Sequence, residues 1–348
     1  MLRKWLGTAR YVFNATVKFL ETPGTKANWM KIKTAIIQSL PEWAKAVPYQ
    51  IKSLSVKDAC IAVQNAKIKA KQTRVFQKVQ FRSKKKRRDA IFIPKSAIKG
   101  QGVYPRLLGK VIETFDEPIP PAKHDCRLLF DHGNYFLCIP VNCLPLKPEN
   151  QRGELVALDP GVRSFQTFCS FDLAGKFGSK DFTRIYRLCY VLDKLISQMA
   201  KARCKRKRRL RKAADRIRFK IRNLIDEIHH KVALWLCHNF TVIALPTFET
   251  SQMVTRLHSK TARAMLTWAH FRFKQFLKFK ASELGCLVLD MNEAYTSKTC
   301  TRCGQIVEIG SRSVFKCSGC GLVLDRDING ARNILLRALV DTPCISNR

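Results

Sequence analysis

Residues 300–336 read CTRCGQIVEIGSRSVFKCSGCGLVLDRDINGARNILL and carry the most specific pattern in the chain. Two Cys-x-x-Cys pairs, Cys300/Cys303 and Cys317/Cys320, are separated by thirteen residues. This spacing is typical of a zinc ribbon, in which two tight turns direct four thiolates at one Zn²⁺ ion. Because four thiolates leave no open coordination position, the predicted zinc is structural and not catalytic.

Two aspartates lie at places where a packed sheet could present them to a metal. Asp159 ends a predicted buried strand, GELVALDPG (153–161), and Asp327 begins the last helix, predicted from about residue 328. Phosphodiester hydrolysis by two metal ions needs several carboxylates that converge on two Mg²⁺ ions. An aspartate in such a position is also commonly a turn residue or a helix cap, and Asp325 is a candidate cap of the last helix.

The composition indicates an anionic partner. The 348 residues include 64 Lys+Arg and 26 Asp+Glu, a formal net charge of +38, which favours nucleic acid over a membrane surface. No apolar run approaches the roughly 18 residues of a membrane-spanning helix, and the N-terminus lacks a signal-peptide pattern. The ten cysteines outside the two pairs are scattered singly, which favours free thiols in a reducing compartment. A secreted or integral membrane protein is therefore disfavoured.

The predicted elements divide the chain near residues 75 and 150. Residues 1–75 carry apolar positions three to four apart, which predicts helices. Residues 76–148 hold short apolar runs between turn signals, which predicts a small β module with the strands VFQKVQF, AIFIP, RLLF and YFLCIPV. The predicted order then becomes a strand hairpin, helices within 185–238, strand 241–245, a helix at about 256–283, strand 286–291, the cysteine cluster and the last helix. This order is typical of an α/β domain.

Two basic runs, Lys84–Arg88 and Cys204–Lys212, have two possible roles. They can be solvated helix faces or surfaces that contact nucleic acid, and the net charge of +38 favours nucleic acid. In a eukaryotic host, either run could also act as a nuclear-localisation signal. His229 and His230 are expected to pack on their helix and not to bind a metal.

Several longer motifs resemble one protein family. They are ALDPG (157–161), a basic helix pair ending in DEIHHKVALWL (226–236), IALPTFETSQM (243–253), NEAYTSKTCTRCG (292–304), FKCSGCG (315–321) and DRDINGARNIL (325–335). In these motifs the chain is similar to TnpB and Fanzor proteins, which are transposon-encoded, RNA-guided DNA endonucleases related to type V CRISPR effectors. The resemblance covers nearly the whole chain, because residues 3–17 and 47–59 resemble the first helices of the family.

This resemblance implies an α/β RNase H-like (RuvC) nuclease domain with an inserted zinc ribbon, an N-terminal helical recognition lobe and a small β-barrel wedge domain. The implied boundaries are 1–75 for the recognition lobe, 76–148 for the wedge domain, 149–294 for the first part of the nuclease, 295–322 for the zinc ribbon and 323–348 for the last part of the nuclease. The family also opens with a short strand, whereas this sequence begins at the first helix, so either the barrel lacks that strand or the sequence is trimmed.

The implied activity is Mg²⁺-dependent hydrolysis of guide-matched DNA beside a short target-adjacent motif, with one site cutting the two strands in succession. The implied partners are a guide RNA from the transposon end and double-stranded target DNA, with a monomeric protein and no membrane. Two Mg²⁺ ions would be catalytic and one Zn²⁺ structural. The expected location is the nucleus in a eukaryotic host, and otherwise the bacterial cytoplasm or nucleoid.

The chain departs from the common pattern of the family at the middle catalytic carboxylate. Pro246 stands where common TnpB proteins have a glutamate, and Glu249 and Glu293 are the two nearby substitutes. Glu293 is favoured because it follows the predicted buried strand CLVLDM, whereas Glu249 can be an acid at a helix N-terminus. A relocated glutamate before YTSKTC also resembles the Fanzor branch and serine-recombinase-associated TnpB proteins. The predicted catalytic residues are Asp159, Glu293 and Asp327.

Two other functions remain open from the sequence. The first is an RNA-guided DNA-binding protein that does not cleave and acts as a repressor or transposition accessory, which Pro246 motivates. The second is a basic zinc-ribbon RNA-binding protein without a guide, such as a ribosome-associated factor. The placement of the carboxylates disfavours the second.

Overall fold

The computed structural model describes residues 1–85, 88–99, 102–108, 119–142, 153–179, 181–247, 259–292, 296–308, 310 and 312–341. The chain divides into two compact units, Met1–Asn142 and Cys143–Arg348. No helix within these described ranges is long and apolar enough to cross a bilayer.

The first unit begins with the helices that the apolar spacing predicts. They are α1 (Leu2–Leu20), α2 (Trp29–Gln38), α3 (Glu42–Lys45) and α4 (Tyr49–Thr73). The Asn28 side chain caps α2 by accepting a hydrogen bond from the Met30 N–H. α4 ends at Arg74, whose left-handed backbone (φ 54°) stops the helix.

The strands of the first unit form two small sheets. Its further elements are β1 (Arg88–Ile93), β2 (Ile98–Lys99), β3 (Gly102–Val103), α5 (Pro105–Leu108), β4 (Cys126–Asp131) and β5 (Asn134–Cys138). Strands β1, β4 and β5 form an antiparallel sheet in the order β1-β4-β5, and β2 pairs with β3. Trp5, Ile51 and Ile93 share one buried cluster, so helices and strands pack together. A closed barrel stays a prediction.

The predicted strand VFQKVQF is wrong, since residues 75–81 form no strand. The Asn14 side chain instead accepts from the N–H of Arg82 at 2.8 Å and donates to its carbonyl at 2.9 Å. Val79 packs against a buried cluster formed by Phe13 and Val17 of α1 with Ala59 of α4. Only Val79 of this segment packs on the helices, whereas Val75, Phe76 and Phe81 are exposed.

The second unit is built around a five-stranded sheet. Its elements are β6 (Gly153–Pro160), β7 (Gln166–Ser170), β8 (Ala174–Phe177), α6 (Asp181–Lys201), α7 (Cys204–Asn239), β9 (Phe240–Pro246), α8 (Ser259–Trp268), α9 (His270–Glu283), β10 (Leu287–Met291), β11 (Val314–Lys316), β12 (Val323–Asp325) and α10 (Arg326–Asp341). The strand order is β10-β9-β6-β7-β8. Strands β6, β9 and β10 are parallel, and β7 and β8 continue the sheet as antiparallel neighbours. The predicted α/β order is confirmed.

Helices cover both faces of this sheet. One face packs against α10 and buries Leu155, Ala157, Ala244, Ala331 and Ile334. The opposite face packs against α7 and α9 and buries Val156, Leu158, Ile243, Leu236 and Phe273. Because side chains alternate along a strand, the odd-numbered residues of β6 face α10, and Asp159 is one of them.

The single helix predicted at about 256–283 is two helices where the structure describes it. Ala269 separates α8 from α9 in a left-handed conformation, with φ 52° and ψ 49°. The Trp268 indole N–H donates to the Val162 carbonyl at 3.0 Å, and His270 Nε2 donates to the Gly161 carbonyl at 3.2 Å. The break thus lets residues on both sides of Ala269 hold the loop that follows β6.

Candidate metal sites and nucleic-acid surface

The four predicted zinc ligands lie together. The sulfur atoms of Cys300, Cys303, Cys317 and Cys320 are all within 4.8 Å of one another. The Cys300–Cys320 and Cys303–Cys317 sulfur pairs are 3.6 and 3.5 Å apart, close to the roughly 3.8 Å between sulfurs that bind one tetrahedral zinc. The donor set and its spacing therefore fit a structural Zn²⁺ ion.

Local backbone geometry builds this cluster. The N–H of Gly304 bonds to the Cys300 carbonyl at 2.9 Å, and the N–H of Gly321 to the Cys317 carbonyl at 3.1 Å. Both glycines have positive φ, 77° and 72°, which glycine adopts without a steric penalty. Backbone N–H groups of Cys320 and Gly319 lower the pKa of Cys317 to about 6. A thiolate at neutral pH is the form that binds zinc.

Two asparagines attach the segment before the cysteines to α10, a contact that the sequence did not reveal. The Asn329 side chain donates to the Thr299 carbonyl at 2.8 Å. The Asn333 side chain donates to the carbonyls of Thr296 and Thr299, both at 2.7 Å. Both asparagines are buried, and their four-residue spacing places them on one helix face. The zinc cluster is thereby tied to the helix that carries Asp327.

Asp159 lies against the same helix. A Cβ atom added to Gly330 would be 2.6 Å from Asp159 Oδ2, so the carboxylate reaches the helix where there is no side chain. Gly330 follows Asp327 by three residues, which puts the two positions on one face of α10. The structure therefore brings two of the predicted catalytic residues to the same end of α10, although 168 residues separate them in sequence.

Two carboxylates with different contacts lie at the start of α10, one just before the helix and one in its first turn. Asp325 Oδ1 accepts from the N–H groups of Asp327 at 3.0 Å and Ile328 at 3.2 Å, which confirms Asp325 as the helix cap. The Lys176 ammonium donates to Asp325 at 2.8 Å and to Asp327 Oδ2 at 3.0 Å. No sequence pattern had indicated a role for Lys176.

Charge and hydrogen bonding perturb the ionisation of these groups. Burial alone would lower the pKa of Lys176, but hydrogen bonds to Asp325 and Asp327 outweigh it and raise this pKa. Burial would raise the pKa of Asp325, but Lys176 and the backbone N–H groups of α10 lower it. Lys176 is therefore a cation and Asp325 an anion at neutral pH.

Pro246 lies level with Asp159 at the edge of the sheet. Ala157 is opposite Ala244 in the parallel β6–β9 pair, and two residues further along each strand are Asp159 and Pro246. β10 ends at the same edge, since Met291 pairs with Pro246. Glu249 and Glu293 lie outside the described residues, so the choice between them stays a prediction.

The described carboxylates do not form a complete metal site. In the described ranges, the four cysteines are the only group of three or more potential ligands whose atoms lie within 4.8 Å of one another. Carboxylate oxygens are nonetheless the ligands that Mg²⁺ prefers. Asp159 and Asp327 thus fit as part of a Mg²⁺ site that needs a further ligand, as the prediction of Glu293 requires.

Buried rings support the loop after Asp159. The Phe165 ring stacks between His229 and His270, at centroid distances of 5.0 and 5.4 Å. His229 Nε2 donates to the Trp268 carbonyl at 2.9 Å. Burial lowers the pKa of His229 to about 3 and that of His270 to about 4. His230 is exposed and stacks on Phe276, so the expected packing role of His229 and His230 is confirmed.

The basic run Cys204–Lys212 forms the exposed first turns of α7. Residues 201–222 contain thirteen basic residues and one acid, Asp215, which pairs with Arg218 at 3.2 Å. The other run, Lys84–Arg88, is described only in part. The exposed start of α7 therefore offers a dense positive surface suited to phosphates.

The chain resembles known proteins along most of its length. A family model, "Cas12f1-like, TNB domain", matches residues 270–334, which contain all four cysteines and Asp327. A "Putative transposase" of Paramecium bursaria Chlorella virus 1 is 31% identical over 97% of this chain and 83% of its own length. A "TnpB-like protein" of Acanthamoeba polyphaga mimivirus is 26% identical over 72% of this chain and 50% of its own length. The chain therefore spans about half of that mimivirus relative.

A solved structure has the same fold. The cryo-EM structure of a Cas12f1–sgRNA–target DNA complex matches with a TM-score of 0.54 and 14% identity, over 96% of this chain and 81% of that chain. Together with the viral relatives, this match identifies the chain as a member of the TnpB family. A particular closeness to Fanzor proteins stays a prediction.

Proposed function

We propose that the protein is an RNA-guided DNA endonuclease of a transposable element, which hydrolyses guide-matched DNA beside a short target-adjacent motif. Its membership of the TnpB family supports this function. The observation that carries the proposal is the contact of the Asp159 carboxylate with α10 at Gly330, one turn after Asp327. A fold that brings two distant aspartates to one helix end suits a site in which carboxylates share metal ions.

In this proposal the five-stranded sheet and α10 form an RNase H-like (RuvC) core. The segment that carries the four cysteines forms its zinc ribbon. The parallel strands β6, β9 and β10 end at one edge of the sheet, where a phosphodiester would bind. Residues 1–75 would form the recognition lobe and residues 76–148 the wedge domain. The zinc ribbon would be rigidly placed because Asn329 and Asn333 bond to the segment that precedes it.

Asp159, Glu293 and Asp327 would hold two Mg²⁺ ions, which when bound activate a water molecule and stabilise the leaving oxygen. The protein's part is to fix the carboxylates before the substrate arrives. β6 and Gly330 position Asp159, and the cap formed by Asp325 fixes the first turn of α10 that carries Asp327. Such preorganisation avoids the cost of arranging the ligands during the reaction.

The positive charge would bind the nucleic acids. The exposed run Cys204–Lys212 would neutralise phosphates of a guide RNA or of its duplex with target DNA. Base pairing between the guide and the DNA would then supply the sequence specificity, and the protein would read the shape of the backbone. Both partners are part of the proposal: a guide RNA from the transposon end, and double-stranded DNA.

A second candidate function is RNA-guided DNA binding without cleavage. It is favoured by Pro246, which lies level with Asp159 where common TnpB proteins have the middle glutamate. Proline cannot bind a metal ion, so catalysis depends on a glutamate from elsewhere. Cleavage of guide-matched DNA that Asp159→Ala abolishes would exclude this candidate.

Sequencing of co-purified RNA tests the RNA-guided part of the proposal. The protein is expressed with its native flanking DNA, and the RNA bound to it is sequenced. We expect one abundant species, with a constant structured part from the element's end followed by a guide. A random mixture of cellular RNA would contradict the proposal and would favour a basic RNA-binding protein without a guide.

A further inference from the structure

Lys176 brings a positive charge to the carboxylates at the start of α10. Its ammonium lies 2.8 Å from an oxygen of Asp325 and 3.0 Å from Oδ2 of Asp327. These partners are 149 and 151 residues away in sequence. The ion pairs therefore depend on the tertiary structure and not on local spacing.

The sheet register fixes where this lysine lies. Lys176 is opposite Thr167 in the β7–β8 pair, and Thr167 is opposite Asp159 in the β6–β7 pair. The three residues form one row across three strands and face α10. Since neighbouring strands are about 4.8 Å apart, the backbones of Lys176 and Asp159 are separated by about 10 Å. Lys176 thus extends from the sheet itself to the start of α10.

Asp325 is suited to hold the lysine independently of a metal. Its Oδ1 already accepts two backbone N–H groups of α10, so its carboxylate is fixed by the helix. The Oδ2 atom of Asp327, by contrast, accepts from the ammonium of Lys176. Asp325 therefore anchors Lys176 to the helix, whereas Asp327 is the aspartate that the proposed function assigns to metal binding.

We propose that Lys176 is the resident counter-cation of the metal site, bonded to Asp327 until a divalent ion takes that carboxylate, and then held by Asp325 alone. This inference rests on the proposed function, which makes Asp327 a metal ligand. An ammonium and a divalent ion repel each other, and they compete for the same carboxylate oxygen. Lys176 therefore lowers the affinity of the site for metal and keeps two neighbouring carboxylates together when no metal is bound.

Direct binding of Mn²⁺ to the full-length, zinc-loaded chain tests the inference without an activity assay. Calorimetry is performed on the wild type and on Lys176→Met, which removes the charge and keeps a long side chain. We expect the variant to bind Mn²⁺ with a Kd lower by about tenfold, a modest effect because the lysine is partly exposed and screened. An equal or higher Kd would overturn the inference.

Two further variants make the result specific. Lys176→Arg keeps the charge and is expected to retain the wild-type Kd. Lys278→Met removes an ion pair with Asp290, 2.8 Å long, on the opposite face of the sheet, and is also expected to leave the Kd unchanged. A similar tightening in Lys278→Met would show a general charge effect and would overturn the role of Lys176.

Thermal unfolding gives a second readout. Without added Mn²⁺, Lys176→Met leaves Asp325 and Asp327 to repel each other, so we expect a lower unfolding temperature than in the wild type. Mn²⁺ should then raise the unfolding temperature more in the variant than in the wild type. Equal increases would contradict the proposal.

Asp327→Asn separates this inference from the proposed function. If the wild type binds Mn²⁺ and Asp327→Asn does not, Asp327 is a metal ligand, and the Kd of Lys176→Met decides the inference alone. If Asp327→Asn binds Mn²⁺ as tightly as the wild type does, both the proposed metal site and the inference are overturned.

Discussion

Three aspartates lie at the start of α10, where the proposed function places its chemistry. Asp159 reaches the helix at Gly330, Asp327 bonds to Lys176, and Asp325 caps the helix. The same three-residue sequence, Asp-Arg-Asp, therefore contains one structural carboxylate and one carboxylate proposed for catalysis. Asp325 was a candidate cap from the sequence, and its hydrogen bonds confirm it, whereas the metal-ligand role of Asp327 stays a prediction.

The middle carboxylate is tested by a pair of single substitutions. We expect Glu293→Ala to lower the rate of DNA cleavage by about a thousandfold or more, since loss of a metal ligand removes several kcal/mol of transition-state stabilisation. Glu249→Ala should cleave at close to the wild-type rate. The measurement is the cleavage rate of guide-matched DNA by each purified complex, and the reverse pattern would make Glu249 the ligand.

The buried histidines predict a dependence of stability on pH. Burial lowers the pKa of His270 to about 4, whereas in the unfolded chain it is about 6.5. Between these values the unfolded state binds more protons, so the free energy of unfolding falls as the pH falls. At pH 5 the loss due to His270 should be about 2 kcal/mol relative to pH 7.5.

Urea denaturation at pH 7.5 and pH 5 measures this effect. The wild type should lose about 2 kcal/mol more stability on acidification than His270→Gln does, and contributions shared by both proteins cancel. His230→Gln is the matched control, because His230 is exposed, and it should behave as the wild type. Equal losses of stability in the wild type and His270→Gln would show that protonation of His270 does not cause the acid-dependent loss.

Among the elements, the hairpin β11–β12 and the four cysteines beside it are connected to α10. The hairpin β11–β12 buries Phe315 beside Cys300 and Cys317, and Asn329 and Asn333 fix the segment that leads into it. Such a small cluster depends on the metal for its stability. A zinc ion held by the four cysteines would therefore help to place the start of α10 and, with it, Asp327.

Loss of one thiolate should therefore disorder the hairpin. We expect Cys317→Ser to purify with far less than one zinc per chain and to expose the hairpin to proteolysis, whereas the five-stranded sheet stays folded. Cys204→Ser, at an exposed cysteine of α7, should keep one zinc per chain. Metal analysis with limited proteolysis measures both. Full zinc content in Cys317→Ser would contradict the four-thiolate site.

Helices and strands could be predicted from the sequence where the local residue pattern and the tertiary packing favour the same structure. The buried strand that ends in Asp159 and the cysteine spacing both agreed with the structure. The segment 75–81 did not, because three of its four apolar residues are exposed and it pairs with no strand in the described structure. Lys176 could not be found, since its partners are brought to it by sheet register and not by any pattern within β8.

Over the whole molecule, a net charge of +38 is the dominant property. It predicts that the proposed binding of nucleic acid depends strongly on salt, because each neutralised phosphate releases counter-ions. Thirteen of the basic residues fall within residues 201–222, and the start of α7 that carries many of them is exposed. This part of the surface should therefore contribute a measurable share of the binding.

A triple substitution in α7 tests that share. Replacing Arg206, Arg208 and Arg209 with Gln should weaken RNA binding and reduce the slope of log K against log salt by about 2, at about 0.7 per phosphate contact. Lys231→Gln, further along the same helix and paired with Glu227, should change the slope little. The slopes are obtained from affinities measured over a range of salt concentrations. An unchanged slope in the triple variant would show that the start of α7 does not contact phosphates.

Cleavage of guide-matched DNA by the purified protein–RNA complex tests the proposed endonuclease function and its two aspartates together. With Mg²⁺ present, the wild type and Asp172→Ala, at an exposed turn residue, should cut matched DNA and leave mismatched DNA intact. Asp159→Ala and Asp327→Ala should bind the same DNA and cut it at least about a thousandfold more slowly. Undiminished cleavage by either variant would show that its aspartate is not a catalytic metal ligand. Absence of Mg²⁺-dependent cleavage by the wild type would contradict the proposed endonuclease function.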